Sequence, residues 1–358
     1  MKKSKVAFEA ESEGNPFRSF GEQLQAVAKY ALSSKTLVDP RLTEVQNAAA
    51  GLSAGVPSDG GFLVQQDFTT QLIEQIMGKA VLAQDCLTIP ISETRNGLKA
   101  PIIDETSRAT GSRWGGVQVY RQSETGTAQA SKPKFGLLDI SLEKLIGLCY
   151  ATEELLGDTE ALGTIITQAF GSEFGFAIDN EILHGTGAGQ MLGILNSDAL
   201  VTVPKEGGQT ADTIVAENVV KMYARMWSRG LPTAKWYVNS EALPQLFTMK
   251  IGDTPIFIPP GGMPQAPSGT LLGRPVVPVE QCSALGDVGD IMFGDLSQYL
   301  IIDKGGVRAS QSIHVQFLTD EQAFKFVLRN NGQPIWKKAL TPFKGTATVS
   351  PFVALEAR

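Results

Sequence analysis

An α+β fold, with more than one packed region and a long ribbon leaving the core, is predicted for this 358-residue chain. Three observations predict it. Apolar residues recur every three or four positions between Thr152 and His184, the period of a long helix. Short alternating or apolar runs bounded by turn residues, the pattern of strands, lie on both sides of that segment. Between Arg95 and Lys134 runs a polar, glycine-rich stretch with few large apolar residues, flanked by two of those strands.

Residues 1–60 read as an arm. SFGEQLQAVAKYAL offers a capping box, Ser19 to Glu22, with Phe20, Leu24, Val27 and Ala31 on one helical face. VDPRLTEVQNAAAGLSAGVPSDGG then reads as an extended linker of small residues, glycine and proline. Order begins at Gly60-Gly61, and Phe68, Leu72, Ile73, Ile76 and Met77 give a helix within 63–79. CLTIPI (86–91), LKAPII (98–103) and KFGLLDISLEKL (134–145) read as strands, so 95–134 is a two-stranded excursion. A hairpin of that length is marginal alone, and its support is expected from another chain. In the long helix of 152–184, Leu162, Ile165, Ile166, Ala169, Phe170, Phe174, Ala177, Ile178 and Ile182 form the apolar stripe. Thr152 is its expected cap, and Gly163, Gly171 and Gly175 are points of weakness. Beyond 196, ENVVKMYARMWSR and SEALPQLFTMK read as helices; KWYVN, RPVVPVE, DIMFGD, QYLIID, SIHVQFLTD, EQAFKFVLRNN and PIWKKAL read as strands.

Composition narrows the function classes. Hydrophobic residues at 42% and charged residues at 19% suit a globular chain with a sizeable core. No run of about 18 apolar residues occurs, so no membrane span is expected. The opening MKKSKVAFEAESEGN turns acidic before any apolar stretch, unlike a secretory leader. Cys86, Cys149 and Cys282 are far apart and odd in number, which argues against both a disulfide framework and a zinc site. Only His184 and His314 could serve histidine chemistry; neither lies in HExxH, and no GxSxG elbow exists. A net charge of −6 disfavours a dedicated nucleic-acid binder. No catalytic residue, cofactor or metal site is assigned.

The stretch HGTGAGQMLGIL could suggest a phosphate cradle. A dinucleotide fingerprint, however, places a strand before its glycines and a helix after them, whereas here a helix precedes them. A Walker loop would end in Gly-Lys-Ser/Thr, and the next lysine is Lys205. Gly185 is therefore read as the left-handed stop of the long helix, and Gly187, Gly189 and Gly193 as the rest of a hinge into the following region.

Several stretches taken in order resemble one family: SFGEQLQAV, GGFLVQQDF, TEELLGD, DNEILHGTGAGQMLGILNS and IMFGDLSQYLIIDKGGV. Together they look like the major capsid proteins of tailed bacteriophages, with the Hong Kong 97-type fold, from about Phe17 to Lys344. The resemblance implies an N-terminal arm (1–60), a peripheral domain (61–94 and 135–195) with its spine helix at 152–184, and an E-loop (95–134) laid over an adjacent subunit. It further implies an axial domain (196–318) and a return segment (319–358) shared by both domains. The implied function is structural: a shell subunit that assembles with itself into pentamers and hexamers, and then into an icosahedral particle around double-stranded DNA, without sequence-specific DNA binding and without a membrane. Scaffolding, portal and decoration proteins are the further partners implied, and the host bacterial cytoplasm the place of assembly. An encapsulin-type nanocompartment enclosing a cargo enzyme shares the fold; the long arm favours the viral version. Sustained heptads, the mark of a fused scaffolding segment, are missing before GGFLV. Some members also join a loop lysine to an asparagine covalently with a glutamate nearby. The loop tip here, 105–125, has arginines but no lysine, and Asn330 and Asn331 have no adjacent glutamate, so no such crosslink is expected.

Charge adds an independent expectation. Residues 95–134 carry seven Lys/Arg against three Asp/Glu, a net of +4, whereas 151–184 carry seven acids and no Lys or Arg. Two solvated faces of ordinary composition would give the same counts; the sharper expectation is that Arg108, Arg113, Trp114 and Arg121 of one subunit meet Glu153, Glu154, Asp158, Glu160 and Glu173 of the next. Such pairing sets register and orientation more than affinity.

Overall fold

A computed structural model describes residues 16–32, 39–50, 61–63, 72, 75–76, 78–92, 95–103, 105–119, 121, 131–152, 159–258, 269–305, 308–316 and 321–358. The chain divides into two units. The first comprises residues 1–75, 145–171 and 306–328; the second comprises 76–144, 172–305 and 329–358.

The first unit opens with helices α1 (Phe20–Leu32) and α2 (Pro40–Ala50). The Ser19 hydroxyl accepts the Glu22 amide at 3.2 Å, as the capping box predicts, but the Glu22 carboxylate takes the Arg18 amide at 3.0 Å. The linker expected at residue 40 is instead a helix. Asp39 accepts the Arg41 amide at 3.0 Å, Pro40 occupies the first helical position where a missing N–H costs nothing, and Leu42 and Val45 are buried. Arg41 joins the helices: it bonds Glu22 at 2.6 Å and Asp39 at 2.8 Å and lies 4.7 Å over the buried Phe17 ring.

The strands in chain order are β1 (Gly61–Leu63), β2 (Leu87–Pro90), β3 (Gly97–Ile103), β4 (Phe135–Ser141) and β5 (Glu143–Thr152). Next come helix α3 (Thr159–His184), β6 (Val201–Val203), helix α4 (Ala216–Arg225), β7 (Lys235–Val238) and helix α5 (Leu243–Thr248). They continue as β8 (Lys250–Ile251), β9 (Thr254–Pro255), β10 (Phe257–Ile258), β11 (Thr270–Leu271), β12 (Arg274–Pro278) and β13 (Ile291–Gly294). The last four are β14 (Tyr299–Asp303), β15 (Arg308–Gln316), β16 (Glu321–Pro334) and β17 (Phe352–Leu355). Of the helix read within 63–79, Leu72, Gln75, Ile76, Gly78 and Lys79 are helical, and Phe68, Ile73 and Met77 lie outside the described residues. PIWKKAL is not a strand beyond Pro334, where β16 ends.

In the first unit β15 pairs antiparallel with β1 and with the start of β16, and α1 lies against β15. In the second unit β14 pairs antiparallel with the end of β16, Ile301 opposite Gly332, and parallel with β2. The larger sheet of the second unit has the order β10-β11-β12-β7-β13-β17-β6. Its central strands, IMFG in β13 and FVAL in β17, are buried at every position because both faces are covered, which explains their unbroken apolar runs. Trp236 anchors this core, stacked on Phe293 at 4.2 Å with its indole N–H bonded to the Leu271 carbonyl at 3.0 Å.

Thr152 does not cap the long helix. It is the last residue of β5, and the helix begins at Thr159. Of the stripe read on α3, Ile166, Phe170, Phe174, Ile178 and Ile182 are buried, Ala177 is half-buried and Ala169 is exposed, while the side chains of Leu162 and Ile165 lie outside the described residues; Phe170 packs on Phe326 at 4.4 Å. Gly175 has a packing role, since a Cβ there would lie 3.0 Å from the Ala80 nitrogen and Ile76 oxygen.

Candidate functional site

The ribbon expected to leave the core exists at its base. Strands β3 and β4 pair antiparallel from Gly97 opposite Ser141 to Ile103 opposite Phe135. Alternation gives the ribbon two faces. Leu138 and Ile140 point inward and pack with Ile91, Leu300 and Ile302. Phe135 and Leu137 point outward, 62% and 53% exposed. Trp114, 55% exposed, meets Phe135 edge-on at 6.4 Å, so an aromatic patch stands on the uncovered face. Lys99 and Asp139 pair across the strands at 2.8 Å.

Past β3 the chain folds back on its own subunit. The Arg108 amide donates to the Thr341 carbonyl at 2.8 Å, and the Thr341 amide to the Thr106 carbonyl at 3.1 Å. Gly111, at φ +82°, lies so close to Phe343 that a Cβ would stand 3.2 Å from the ring. Arg108 is thereby tied within its own chain, paired with Glu105 at 2.5 Å and its side chain only 16% exposed. It is not a free cation for a neighbour. Arg113 and Arg121 are exposed.

On the acidic side, Glu160 lies in the first turn of α3 and Glu173 is exposed, whereas Glu153, Glu154 and Asp158 fall outside the described residues. Two further acids of that segment turn inward. Asp179, 1% exposed, accepts the Val81, Leu82 and Ala83 amides at 2.6, 3.1 and 3.1 Å, and Glu181 accepts the Met191 amide at 3.3 Å. Burial raises both carboxyls above their ordinary range, although these amides oppose the shift.

The glycine stretch is a pinned corner. Gly185 is not left-handed, contrary to the sequence reading; it is glycine because a Cβ would stand 2.1 Å from the Met191 oxygen and 2.6 Å from the Glu181 oxygen. Gly187 (φ +77°) and Gly189 (φ +73°) make the left-handed turn. Thr186 bridges Leu192, the Gly193 amide bonds the Gly185 carbonyl at 2.8 Å, and the Asn196 side-chain amide caps the His184 carbonyl at 2.8 Å. The Leu192 amide bonds the Gly332 carbonyl at 2.9 Å, and the Leu192 carbonyl accepts the Tyr299 hydroxyl at 3.0 Å. The Gly185 and Gly187 amides are engaged here too, bonding the Glu181 carbonyl at 2.9 Å and the Met191 carbonyl at 3.0 Å. His184 donates from Nε2 to the Gln281 carbonyl at 2.8 Å.

These carboxylates give the two units opposite responses to acid. In the first, the Arg41 hydrogen bond holds Asp39 below its ordinary range; for Glu22, burial pushes upward but bonds from Arg41 and Arg18 outweigh it. Their stabilisation is present above the ordinary carboxylate range and is lost as pH falls through the lowered values. For Asp179 and Glu181 the sign reverses: the folded state holds the proton more tightly than the unfolded one. Their contribution is complete below the ordinary range and is lost as pH rises through the raised values. Acidification from neutrality to below the ordinary carboxylate range, about pH 3, is therefore expected to speed amide exchange in 20–50 relative to 172–196. An equal change in both segments would refute this.

Among the described residues no group of three or more His, Cys, Asp or Glu could hold a metal ion, and no helix is long and apolar enough to cross a membrane. A two-unit α+β chain with an uncovered aromatic ribbon and a pinned corner in place of a nucleotide loop has the features of a structural, self-associating protein. The chain belongs to the phage capsid family, whose model matches residues 60–345. Solved structures of similar fold include the capsid of an empty GTA particle (17% identity, TM-score 0.57, covering 78% of this chain and 90% of that one). The capsid of the native GTA particle is 16% identical, with a TM-score of 0.56, covering 92% and 99%. Gordonia phage Cozz is 12% identical, with a TM-score of 0.52, covering 78% and 86%. No curated protein matches significantly.

Proposed function

We propose that this capsid protein closes, through pentamers and hexamers of itself, into an icosahedral shell around the double-stranded DNA of a tailed phage, with no catalytic role. The uncovered ribbon face carries the reading: Phe135, Leu137 and Trp114 form an apolar patch that a neighbouring copy would cover. Contacts of one surface with a different one are the kind that rings and lattices need. The ribbon is the E-loop, residues 152–184 the spine-helix region, and residues 1–60 the arm that reaches a neighbour. The pinned stretch 185–193 serves as a fixed corner between α3 and the short helical turn at Ile194–Asn196. Assembly takes place in the host cytoplasm, with scaffolding, portal and decoration proteins as further partners. Electron micrographs of the expressed protein test the shell, and the 260 to 280 nm absorbance ratio of native particles separates a genome container from an encapsulin-like cargo container. Failure to form particles under any assembly condition would overturn the proposal.

The exposed Arg113 and Arg121 are its electrostatic arm, facing the acids of the adjacent copy's 151–184 segment. Arg113→Glu with Arg121→Glu is expected to abolish normal particles while leaving the subunit folded, because both side chains are exposed. The wild-type contact should weaken with salt, since exposed charges are screened beyond ~10 Å at 0.1 M. Normal particles from the double variant would exclude this pairing. Purified particles are also expected to run as monomers on denaturing gels. The nearest lysines are at the ribbon base, where Lys99 is paired with Asp139, and Asn331 donates to the Ser141 carbonyl at 2.5 Å. A covalent ladder in untreated particles would contradict this.

A further inference from the structure

Strand β2 ends its sheet, paired with β14 on one side and with no strand on the other among the described residues. Its residues, Leu87–Pro90, are all exposed. Leu87 stands opposite Leu300 and Ile89 opposite Ile302, so these side chains share one face of the sheet. Leu138 and Ile140 of the ribbon pack on Leu300 and Ile302, whereas Leu87 and Ile89 remain 46% and 36% exposed. The end strands of the larger sheet differ: Val201 and Val203 of β6 and Phe257 of β10 are buried. Main-chain direction is fixed as well. The Ile91 amide bonds the Asp303 carbonyl of β14 at 2.7 Å, and the Lys304 amide, one residue on, turns the other way to the Arg329 carbonyl of β16 at 3.1 Å. By that alternation Leu87 and Ile89 direct their main-chain groups to β14, and Thr88 and Pro90 direct theirs to the open edge. Pro90 therefore takes no bond from the sheet. An open edge with apolar side chains and no charge is one that natural sheets avoid unless it pairs.

We propose that β2 pairs antiparallel with β2 of a second copy of this chain, across a two-fold axis at Thr88. The strand is its own complement in that arrangement. Each Thr88 donates its N–H to the Thr88 carbonyl of the other copy, which closes a pair of hydrogen bonds. Leu87 of each copy then stands opposite Ile89 of the other, at the non-hydrogen-bonded position where side chains come closest. Both apolar pairs continue the row begun by Leu300 and Ile302. The sequence LTIP carries no charge, so the two copies meet without repulsion. The ladder also stops by itself: the Cys86 amide already bonds the Ala83 carbonyl at 3.2 Å, and Pro90 has no N–H to give. A contact this short does not hold two subunits alone, and it acts as one among many in a lattice. Rings of five or six close through heterologous contacts, so this isologous pair joins one ring to the next. The proposal rests on the reading of the chain as a self-assembling shell subunit.

A disulfide formed in assembled particles tests the pairing. Residues opposite each other at the non-hydrogen-bonded position have Cα atoms about 4.5 Å apart, within the span of about 4.4–6.8 Å that a disulfide bridges. Full-length Leu87→Cys, Ile89→Cys protein is assembled, oxidised and run on denaturing gels without reductant. The expected product is a dimer and nothing larger, with mass spectrometry placing the bond between position 87 of one copy and position 89 of the other. Wild type and either single variant should give no dimer. A ladder, a bond between equal positions, a dimer from a single variant, or no dimer from the double variant would overturn the proposal. Thr88→Pro removes the outward N–H and no bond to β14, so it is expected to abolish particles while the subunit keeps its urea midpoint. Normal particles from Thr88→Pro would overturn the proposal as well. Intact particles without the dimer would remove the β2 pair and leave the shell reading standing, whereas a wild-type chain that never forms particles would remove both.

Discussion

Valine in place of Gly185 is expected to destabilise the subunit by about 3 kcal/mol or more, the upper range for overpacked sites. Loss of soluble protein or a lowered urea midpoint would report it. The reason is contact with main chain: the Met191 and Glu181 oxygens, 2.1 and 2.6 Å from a Cβ at Gly185, belong to backbone fixed by α3 and by the Thr186–Leu192 bridge. Gly193 should behave alike, with the Gly185 nitrogen and Leu183 oxygen each 2.5 Å from its Cβ position. Gly189 faces open space at φ +73°, so Gly189→Ala should cost only about 1 kcal/mol of left-handed strain. The ranking separates a pinned corner from a free joint. Similar tolerance at Gly185 and Gly189 would show a flexible hinge, and the bonds of Leu192 to Gly332 and Tyr299 would then be incidental.

That corner also marks where sequence reading stops. The inverted order of helix and glycines argued against a nucleotide loop without a structure. It could not say which glycine turns left-handed and which is merely crowded, because both demands are met by the same missing Cβ. Long periodicities were legible: the α3 stripe and the alternation of β4 follow from spacing alone. Helix α2 was hidden by its alanines and flanking glycines, although Asp39-Pro40 is a cap followed by a first-turn proline. Charge was legible as a count and not as a geometry. Arg108 was taken for a free cation, yet Glu105 three residues earlier was a visible partner, and the Thr341 fold-back that buries it is non-local. Asp179 and Glu181 were counted among the acids of 151–184, but Asp179 serves amides of the distant 81–83 segment and Glu181 the Met191 amide of the following turn.

Removing the buried Arg358–Asp290 pair from one side should produce the other large loss. Both side chains are fully buried, with two guanidinium–carboxylate bonds, and Arg358 Nε also donates to the Thr213 carbonyl. Arg358→Ala leaves a charged carboxylate in the interior and is expected to cost about 3–5 kcal/mol. Asp290→Ala should cost at least as much. It strands the guanidinium and also frees two buried amides, Gly286 at 3.0 Å and Ile291 at 2.7 Å, each worth about 1–3 kcal/mol when unsatisfied. The double variant should lose much less than the sum, because the second substitution removes the charge stranded by the first. Urea unfolding of the four proteins, as subunits before assembly, measures the cycle. Additive losses would mean that the pair is not coupled. The outcome matters for the shell because Asp290 immediately precedes β13 and Arg358 lies just beyond β17, neighbouring strands of the seven-stranded sheet. A weakened pair should therefore loosen the ends of both strands in the second unit while leaving the α1–α2 pair of the first unchanged, a contrast that amide exchange can resolve.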